Sequence, residues 1–351
     1  MGAETTARRK DSHLDVAAKG DVEPAGNSTL LEHVHLIHCA LPEMAVEEVD
    51  LSARWMGKQL RAPLVITGMT GGTERAGQVN RDLAALAEAH GLAFGVGSQR
   101  AMQEDLERAG TFQVRQVAPT AVVLGNIGLR QAAQLGPDGV KRLAEAIGAD
   151  GMALHLNAAQ ELAQAEGDRD FRGGYDVVTS LLQAFGDRLV VKETGCGLSA
   201  EVVRRLAERG VRNLDVSGSG GTSWVRVEQL RAAGVAEEVA EAFSSWGIPT
   251  AAAVIAARSA APDAAIVASG GIRTGLDAAK AIALGADLAG MALPLFRAQQ
   301  AGGYAGAERA LQVVLTALRH AFLLTGSRNA SELRQKKKVI TGDLKDWVSG
   351  L

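Results

Sequence analysis

Residues 151–161, GMALHLNAAQE, join a short apolar run to a group of polar side chains. The run 151–154 predicts a buried strand, and it is followed at once by His155, Asn157, Gln160 and Glu161. In parallel α/β proteins, ligands bind at the carboxyl ends of the strands. A solvated loop with a capping Asn would explain one such residue, so the interpretation depends on whether other strands end in the same way.

Short apolar runs of this kind recur along the chain, at residues 64–66, 92–94, 121–124, 152–154, 189–191, 214–216, 265–267 and 288–291. Segments of helical periodicity rich in Ala, Leu, Glu and Arg lie between most of them, for example 78–90. Eight strand–helix units predict an α/β fold of the TIM (β/α)8 barrel type. The alternative is a doubly wound open sheet, whose usual Gly-x-Gly-x-x-Gly after the first strand is absent.

The chain outside these repeats predicts two appended segments. We expect an N-terminal arm with lid segments at 1–62, a (β/α)8 barrel domain at 63–328 and a C-terminal tail at 329–351. The arm begins as a basic helix or a disordered terminus, and 30–41 with 46–51 suggest an outer hairpin or a lid under the barrel. Residues 224–261 are long enough for an extra helix or an active-site insertion. The apolar residues of the tail pack on the barrel or on a neighbouring subunit.

Composition narrows the class of protein. The 351 residues are 47% apolar and 22% charged, which suits a large core. The net charge of −3 and the dispersed basic residues argue against a nucleic-acid partner. Cys39 and Cys196 are too few for a disulfide framework and lack metal-site spacing, which favours the cytoplasm. The sequence contains no long uncharged apolar stretch of the kind that would predict a membrane span or a signal peptide.

Nearly every predicted strand is followed by Gly or a small hydroxyl residue together with a polar side chain. The loops 217–222 and 270–273 are interpreted as a phosphate cradle, with ordinary βα turns as the alternative. Lys192 ends an apolar strand, so its ammonium must face a carboxylate or an anionic ligand. A flavin fits, because a cation stabilises its negatively charged reduced form. A structural pair with a carboxylate other than Glu193, which points to the opposite side, remains open.

The motifs taken together resemble those of the type II isopentenyl diphosphate isomerase family, which consists of FMN-dependent barrel enzymes. The resemblance spans nearly the whole chain and is carried by RKxxH at 9–13, MTGG at 69–72, GSQR at 97–100, HLNAAQE at 155–161, KETGxG at 192–197, SGSGGTSW at 217–224, SGGIR at 269–273 and VITG at 339–342. The Gly-rich loops are shared with other FMN barrels, whereas Asn-x-x-Gln-Glu with Arg9-Lys10 is more specific. Ala159 departs from the larger aliphatic residue expected before the Gln.

The resemblance implies a set of site residues. Those implied for FMN are Gly68, Met69, Thr70, Ser98, Asn126, Lys192, Ser217, Thr222, Gly271, Ile272, Arg273, Ala292 and Leu293. Those implied for the substrate are Arg9, Lys10, His13, Ser98, Gln99, Arg100 and Gln160. The same likeness implies that Glu161 holds Mg²⁺ on the diphosphate. It also implies a homotetramer or homo-octamer.

The implied reaction converts isopentenyl diphosphate into dimethylallyl diphosphate without net redox change. One carbon gains a proton and another loses one, yet Gln160 and Asn157 do not titrate and Glu161 is engaged with metal. The resemblance therefore implies that reduced FMN, formed with NADPH, is the acid and base. The catalytic residues are then Gln160, Lys192, His155 and Asn157. We expect the basic arm to become ordered when the diphosphate binds.

Three other functions remain as alternatives. An FMN-dependent 2-hydroxy-acid oxidase uses the same barrel, but no His stands next to Arg273. A purine-nucleotide dehydrogenase would need a catalytic Cys, and the loop 217–222 contains none. A noncatalytic flavin-binding module is the third.

Overall fold

The structure, a computed structural model, describes residues 2–24 and 26–350, and for residues 2–10 and Leu106 it describes the backbone alone. Its strands are β1 (Val34–Leu36), β2 (Ala53–Trp55), β3 (Lys58–Leu60), β4 (Leu64–Ile66), β5 (Ala93–Gly95), β6 (Val122–Gly128), β7 (Gly151–His155), β8 (Leu189–Lys192), β9 (Asn213–Asp215), β10 (Ala265–Ala268), β11 (Leu288–Met291) and β12 (Lys338–Ile340).

The α-helices of the described residues surround these strands. They are α1 (Gly2–Lys19), α2 (Glu74–His90), α3 (Arg100–Glu104), α4 (Leu129–Ala146), α5 (Ala158–Ala163), α6 (Gly174–Phe185), α7 (Ala200–Glu208), α8 (Trp224–Gln229), α9 (Val235–Ala242), α10 (Thr250–Ala260), α11 (Gly275–Leu284), α12 (Leu293–Leu324), α13 (Ala330–Gln335) and α14 (Gly342–Gly350). Side-chain hydroxyls accept backbone N–H groups at four of the helix starts, Thr73, Ser199, Ser223 and Thr274.

Strands β4 to β11 form a closed parallel barrel in sequence order, with β11 pairing back onto β4. This confirms the predicted (β/α)8 barrel. Alternate strand residues fill the barrel interior, whereas the others pack outward against the helices. The long segment between β9 and β10 contains α8, α9 and α10, as its length indicated.

The third barrel strand is longer than its apolar run. Residues 125–128 were expected to be a loop, but they continue β6 and pair with β7 up to Gly128 opposite His155. The side chain of Gln99 also accepts the backbone N–H of Asn126 at 3.0 Å, which supports the extension. Polar Asn126 therefore lies within a strand.

The segments before the barrel pair differently from the expectation. The hairpin consists of β2 and β3, and its two-residue turn, Met56-Gly57, has positive φ at both positions, as tight hairpins require. Trp55 closes the amino-terminal end of the barrel, where its indole Nε1 donates to Asn213 Oδ1 at 2.8 Å. Residues 30–41 and 46–51 form no hairpin with each other, because β1 pairs with β12.

The C-terminal tail returns to the N-terminal segment. Val34 pairs with Ile340, and Leu344 of α14 is fully buried. The tail thus packs on the same chain, although the expected boundaries at 62 and 328 stay a prediction. Among residues 2–24 and 26–350, no helix has both the length and the apolar character needed to span a membrane.

Candidate active site

The carboxyl ends of the barrel strands surround a cavity that gathers most of the predicted residues. Its lining includes His13, Gly68, Met69, Thr70, Ser98, Arg100, Asn126, His155, Asn157, Gln160, Glu161 and Lys192. It also includes residues to which the sequence analysis assigned no role, namely Leu14, Ala17, Gln131, Gln164, Thr194 and Trp224, the last two of which lie within quoted motifs. We refer to this space as the mouth cavity.

A second cavity, which we refer to as the loop cavity, adjoins the first on the side of β9 to β11. It is lined by Ser217, Thr222, Gly271, Arg273, Ala292 and Leu293, all predicted for the cofactor. Gly68, Met69 and Lys192 line both cavities. The site is therefore elongated, with Lys192 where the two parts meet.

Glycine is required where the loops of the loop cavity touch. Gly220 has φ of +103°, and a Cβ there would lie 2.0 Å from the backbone nitrogen of Thr29. Gly271 has φ of +72°, and its Cβ would lie 2.2 Å from Thr29 Cγ2. Only glycine allows this close backbone approach. Glycine-rich loops of this kind are suited to binding a phosphate through backbone N–H groups.

Thr70 offers a second test of whether a cofactor fits. Its side chain is 3% exposed, and its hydroxyl has no hydrogen-bond partner among the described residues, although the residue lines the mouth cavity. A buried hydroxyl without a partner costs free energy, which a polar ligand would offset. Together with the glycine contacts, this fits the FMN that the motifs imply.

His155 is held in one orientation by Asn126. The amide nitrogen of Asn126 donates to Val96 O at 3.1 Å, so its Oδ1 is the atom 2.8 Å from His155 Nδ1. Nδ1 must therefore carry the proton. In the neutral imidazole, Nε2 is then the acceptor, and on protonation it becomes a second donor.

Glu161 is a half-engaged carboxylate at the start of α5. One oxygen accepts Asn157 Nδ2 at 2.9 Å, and the other accepts the backbone N–H of Asp168 at 2.9 Å. Each oxygen keeps a lone pair for a cation. The described residues contain no group of three or more His, Cys, Asp and Glu arranged for a metal. Proteins often bind Mg²⁺ through one or two carboxylates together with substrate phosphates.

Glu228 connects the substrate-side residues, and sequence reasoning missed it. Its Oε1 accepts hydrogen bonds from Gln160 Nε2 at 3.1 Å and Gln164 Nε2 at 2.8 Å, and it lies 3.0 Å from His13 Nε2. Arg231 pairs with its other oxygen. Little in the sequence indicated this role, because Glu228 follows an apolar helix turn and lies far from Gln160 and His13 in sequence.

The charge of Glu228 is stabilised by these partners. Burial alone would raise its pKa, but hydrogen bonds from His13 and Gln160 and the charge of Arg231 lower the pKa to about 2. It is thus ionised at neutral pH. Because Gln160 Nε2 points to Glu228, the amide oxygen of Gln160 is directed to Asn157 Nδ2, 3.5 Å away, and to the mouth cavity.

Lys192 does not pair with the carboxylate that follows it in sequence. Its Nζ donates to the backbone oxygen of Glu193 at 2.5 Å. The Glu193 carboxylate turns away and accepts the backbone N–H groups of Thr194, Gly195 and Cys196. Burial raises the pKa of Glu193 to about 7, against the lowering effect of those hydrogen bonds.

The Cys196 thiol is not an activated nucleophile. Burial, followed by the charge of Glu193, raises the pKa of its thiol to about 12, so it remains protonated. This agrees with its interpretation as a small loop residue.

Four predicted residues need separate mention. Gln99 was expected to contact substrate, but it is fully buried beneath the mouth cavity, where Nε2 donates to Leu143 O at 2.9 Å. It acts by holding Asn126, because the extended β6 covers it. Ile272 is fully buried, so only its backbone can face the loop cavity. Arg9 and Lys10 lie in α1, but their side chains are outside the described part of the structure.

Arg273 is paired with a carboxylate of the N-terminal segment. Its Nε donates to Glu23 Oε1 at 2.9 Å, and a second nitrogen reaches the same oxygen. A phosphate in the loop cavity would therefore share or displace this carboxylate. Arg100, by contrast, bonds within its own helix to Glu104 at 3.1 Å and keeps donors for an anion.

Comparison with known structures supports the fold. A mandelate oxidase variant solved with an FMN adduct aligns with a TM-score of 0.65 over 97% of this chain and 99% of that one, at 19% identity. Mandelate oxidase with (S)-2-phenylpropionate aligns with the same TM-score at 17% identity, over 96% and 97% of the two chains. At these identities the likeness concerns the barrel only.

Sequence comparison indicates the family as well as the fold. The family model described as FMN-dependent dehydrogenase matches residues 153–340. The isopentenyl-diphosphate delta-isomerase of Ignicoccus hospitalis is 45% identical over 98% of this chain and 96% of its own length. That of Xanthobacter autotrophicus is 44% identical over 95% and 98%.

The barrel, its glycine-rich loops and the family match define the class, that of the FMN-dependent (β/α)8-barrel proteins. Within this class the chain belongs to the isopentenyl-diphosphate delta-isomerase family, and it is an isomerase.

Proposed function

We propose that this isomerase converts isopentenyl diphosphate to dimethylallyl diphosphate with reduced FMN, Mg²⁺ and no net redox change. The observation that carries the proposal is the identity of 45% over nearly the full length with a relative of that name. The cavities support it, because Gln160, Asn157, His155 and Glu161 line the mouth cavity and Lys192 lines both the mouth and the loop cavity.

The diphosphate would occupy the wall of the mouth cavity nearest α1, α3 and α5. An isoprenoid diphosphate carries about three negative charges, so it needs cations or a metal. Arg100 supplies a guanidinium there, and His155 Nε2 supplies a donor once protonated. Mg²⁺ would bind to Glu161, and Arg9 and Lys10 would complete the site.

The double-bond shift requires that one carbon gain a proton while another loses one. Bound reduced FMN would supply this acid–base chemistry, with N5 as the proposed proton carrier. The protein side chains would orient the alkene rather than transfer the proton. Gln160 presents its amide oxygen because Glu228 holds its nitrogen at 3.1 Å. Asn157 braces both Gln160 and Glu161, and Lys192 places a positive charge at the junction of the cavities.

Further properties follow from the same family assignment as proposals. NADPH would reduce the flavin, and the protein would act in the cytoplasm as a homotetramer or homo-octamer. We also propose the three-part division into an arm (1–62), a barrel (63–328) and a tail (329–351). Light scattering of the purified protein tests the oligomeric state.

The test of the proposed function is direct. The purified protein is loaded with FMN and incubated without oxygen with isopentenyl diphosphate, Mg²⁺ and NADPH, and dimethylallyl diphosphate is measured. Product that depends on both FMN and Mg²⁺ is expected. If hydrogen peroxide forms instead from a 2-hydroxy acid in air, the oxidase alternative holds and the proposal fails.

The residue roles are tested with Gln160→Ala and Lys192→Ala, assayed with chemically reduced FMN. Each is expected to reduce kcat by about 100-fold or more, as losses of orienting and electrostatic groups commonly do. Turnover near that of the unchanged protein in both variants would refute these roles.

A further inference from the structure

A buried carboxylate lies beside Lys192 inside the barrel. In the parallel pairing of β8 with β9, Lys192 is directly opposite Asp215. Residues opposite each other in a sheet project from the same face. Both line a small cavity inside the barrel, beneath the mouth. The side chain of Lys192 therefore projects to the same face of the sheet as the Asp215 carboxylate, whereas the Glu193 carboxylate points away.

Asp215 is held firmly in this position. Its Oδ1 accepts Ser269 Oγ at 2.5 Å and the backbone N–H of Ser217 at 3.2 Å. The residue is 4% exposed. The rest of the inner cavity is largely apolar, with Trp55, Val190 and Val267 among its lining. A carboxylate in such surroundings needs a counter-charge.

The electrostatics link the two side chains. Burial raises the pKa of Asp215 above its ordinary value, and the positive charge of Lys192, followed by the hydrogen bond from Ser269, opposes that rise and favours the ionised carboxylate. The other buried carboxylate near Lys192 is Glu193, which is occupied by three backbone N–H groups. Lys192 is thus the cation whose charge acts on Asp215, and it also lines the mouth and loop cavities above.

We propose that Asp215 is a positioning residue that faces Lys192 across the inner cavity and offsets part of its charge, and that it thereby sets the reduction potential of the flavin. The inference rests on the proposed function only in requiring that FMN bind between the mouth and loop cavities. A cation near the flavin favours the negatively charged reduced form, and a carboxylate beside that cation weakens the effect. Removing the carboxylate charge must therefore favour reduction.

The experiment compares FMN-loaded wild type with Asp215→Asn by titration against a reference dye. The ratio of reduced to oxidised flavin at a given potential is expected to rise about tenfold, which for a two-electron couple is ~30 mV. The same substitution is then made in Lys192→Met. There the change is expected to disappear, because Asp215 acts through Lys192.

If Asp215 had only a structural role, its effect on the reduction potential would not depend on Lys192. An equal shift with and without Lys192, or no shift in Asp215→Asn that binds FMN, overturns the proposal. If Asp215→Asn does not bind FMN, the reduction potential of the flavin is measured in Ser269→Ala instead. Loss of the Ser269 hydroxyl removes a hydrogen bond that favours the ionised form, so the pKa of Asp215 rises further, a smaller fraction of the carboxylate is ionised and the flavin shifts in the same direction by a smaller factor. No shift there overturns the proposal as well.

The two proposals fail separately. Wild type that binds no FMN, or that binds it and forms no dimethylallyl diphosphate, ends the proposed function. Wild type that binds FMN and isomerises while the potentials stay equal in the variants ends only the role of Asp215.

Discussion

At the scale of single residues, Glu228 determines how the side chains of the mouth cavity are oriented. It joins α1, α5 and α8 through His13, Gln160 and Gln164, and it is 2% exposed. Such supporting residues fix the geometry of residues that touch substrate. A change here should therefore alter turnover without a change in the substrate-contacting atoms themselves.

Glu228→Gln is expected to lower kcat/KM by about 10–100-fold, in the range seen for lost supporting hydrogen bonds. The amide nitrogen would face Arg231 or the donors of Gln160 and Gln164, so Gln160 would lose its orientation. Steady-state kinetics and FMN binding are measured, and FMN affinity should be unchanged. The control is Glu241→Gln, which is exposed on α9. Turnover within about twofold of the parent in both variants would show that Glu228 plays no such part.

Glu193 gives a prediction for pH dependence. Its pKa is about 7 in the folded protein, above its ordinary value of 4.5, because it is buried. Below 4.5 the group is protonated in both states. As the pH rises from 4.5 through 7, the unfolded state ionises first, and the folded state loses stability relative to it.

Glu193→Gln removes this loss. Thermal unfolding at about pH 5 and about pH 8 should show the stability of wild type, relative to the variant, falling as the pH rises. Glu208→Gln, an exposed carboxylate at the end of α7, serves as the control. A difference between wild type and Glu193→Gln that is the same at both pH values would contradict the assignment.

At the scale of elements, the loop 217–222 depends on backbone contact with the segment around Thr29. Gly220→Ala places a Cβ 2.0 Å from Thr29 N, so the loop must move. We expect FMN affinity to fall by at least about tenfold, since Ser217 and Thr222 of this loop line the proposed phosphate site. The measurement is a fluorescence titration with FMN.

The matched control for that loop is Gly210→Ala. Gly210 has φ of +98°, close to +103° at Gly220, but nothing lies within 4 Å of its Cβ position. Both variants carry the cost of a left-handed backbone, about 1 kcal/mol or more. Equal FMN affinity in the two would mean that the contact with Thr29 does not shape the site.

The β2–β3 hairpin is the other element with a clear role, as the floor of the barrel. Trp55→Ala removes a buried ring and its hydrogen bond to Asn213, which should cost about 3–5 kcal/mol in the free energy of unfolding. Urea unfolding followed by circular dichroism measures it. Arg54→Ala, on the exposed side of the same strand, should change little. If the two variants match, the hairpin is not part of the cooperative core.

At the scale of the whole molecule, the two ends of the chain close over one side of the barrel. β1 pairs with β12 across about 300 residues, and Leu344 is buried next to α10. Pairing over such a sequence separation carries a loop-closure entropy cost, which the packing of the folded chain must offset.

Deleting residues 336–351 is therefore expected to destabilise the protein by at least the value of one buried leucine, ~2–5 kcal/mol. Thermal unfolding of the truncated and full chains is compared. Val339→Ala, a side chain that is 47% exposed, is the control within the same tail. A truncated chain that unfolds at the same temperature as the full one would show that the tail adds nothing to the fold.

The sequence by itself was sufficient for the eight barrel strands, because each is a local apolar run between helical segments and short-range periodicity encodes it. It also pointed to the glycine-rich loops and to the polar group at 155–161, which the barrel brings to one cavity.

Only the tertiary structure decided which distant side chains meet. It placed Glu228 against Gln160 and His13, set Asp215 beside Lys192, and buried Gln99 under β6. It also joined β1 to β12 instead of forming a local hairpin. These contacts link residues tens to hundreds of positions apart, and local propensity does not record them. They arise when the closed barrel aligns all its strand ends, so that burial and charge, rather than sequence neighbours, select the partners.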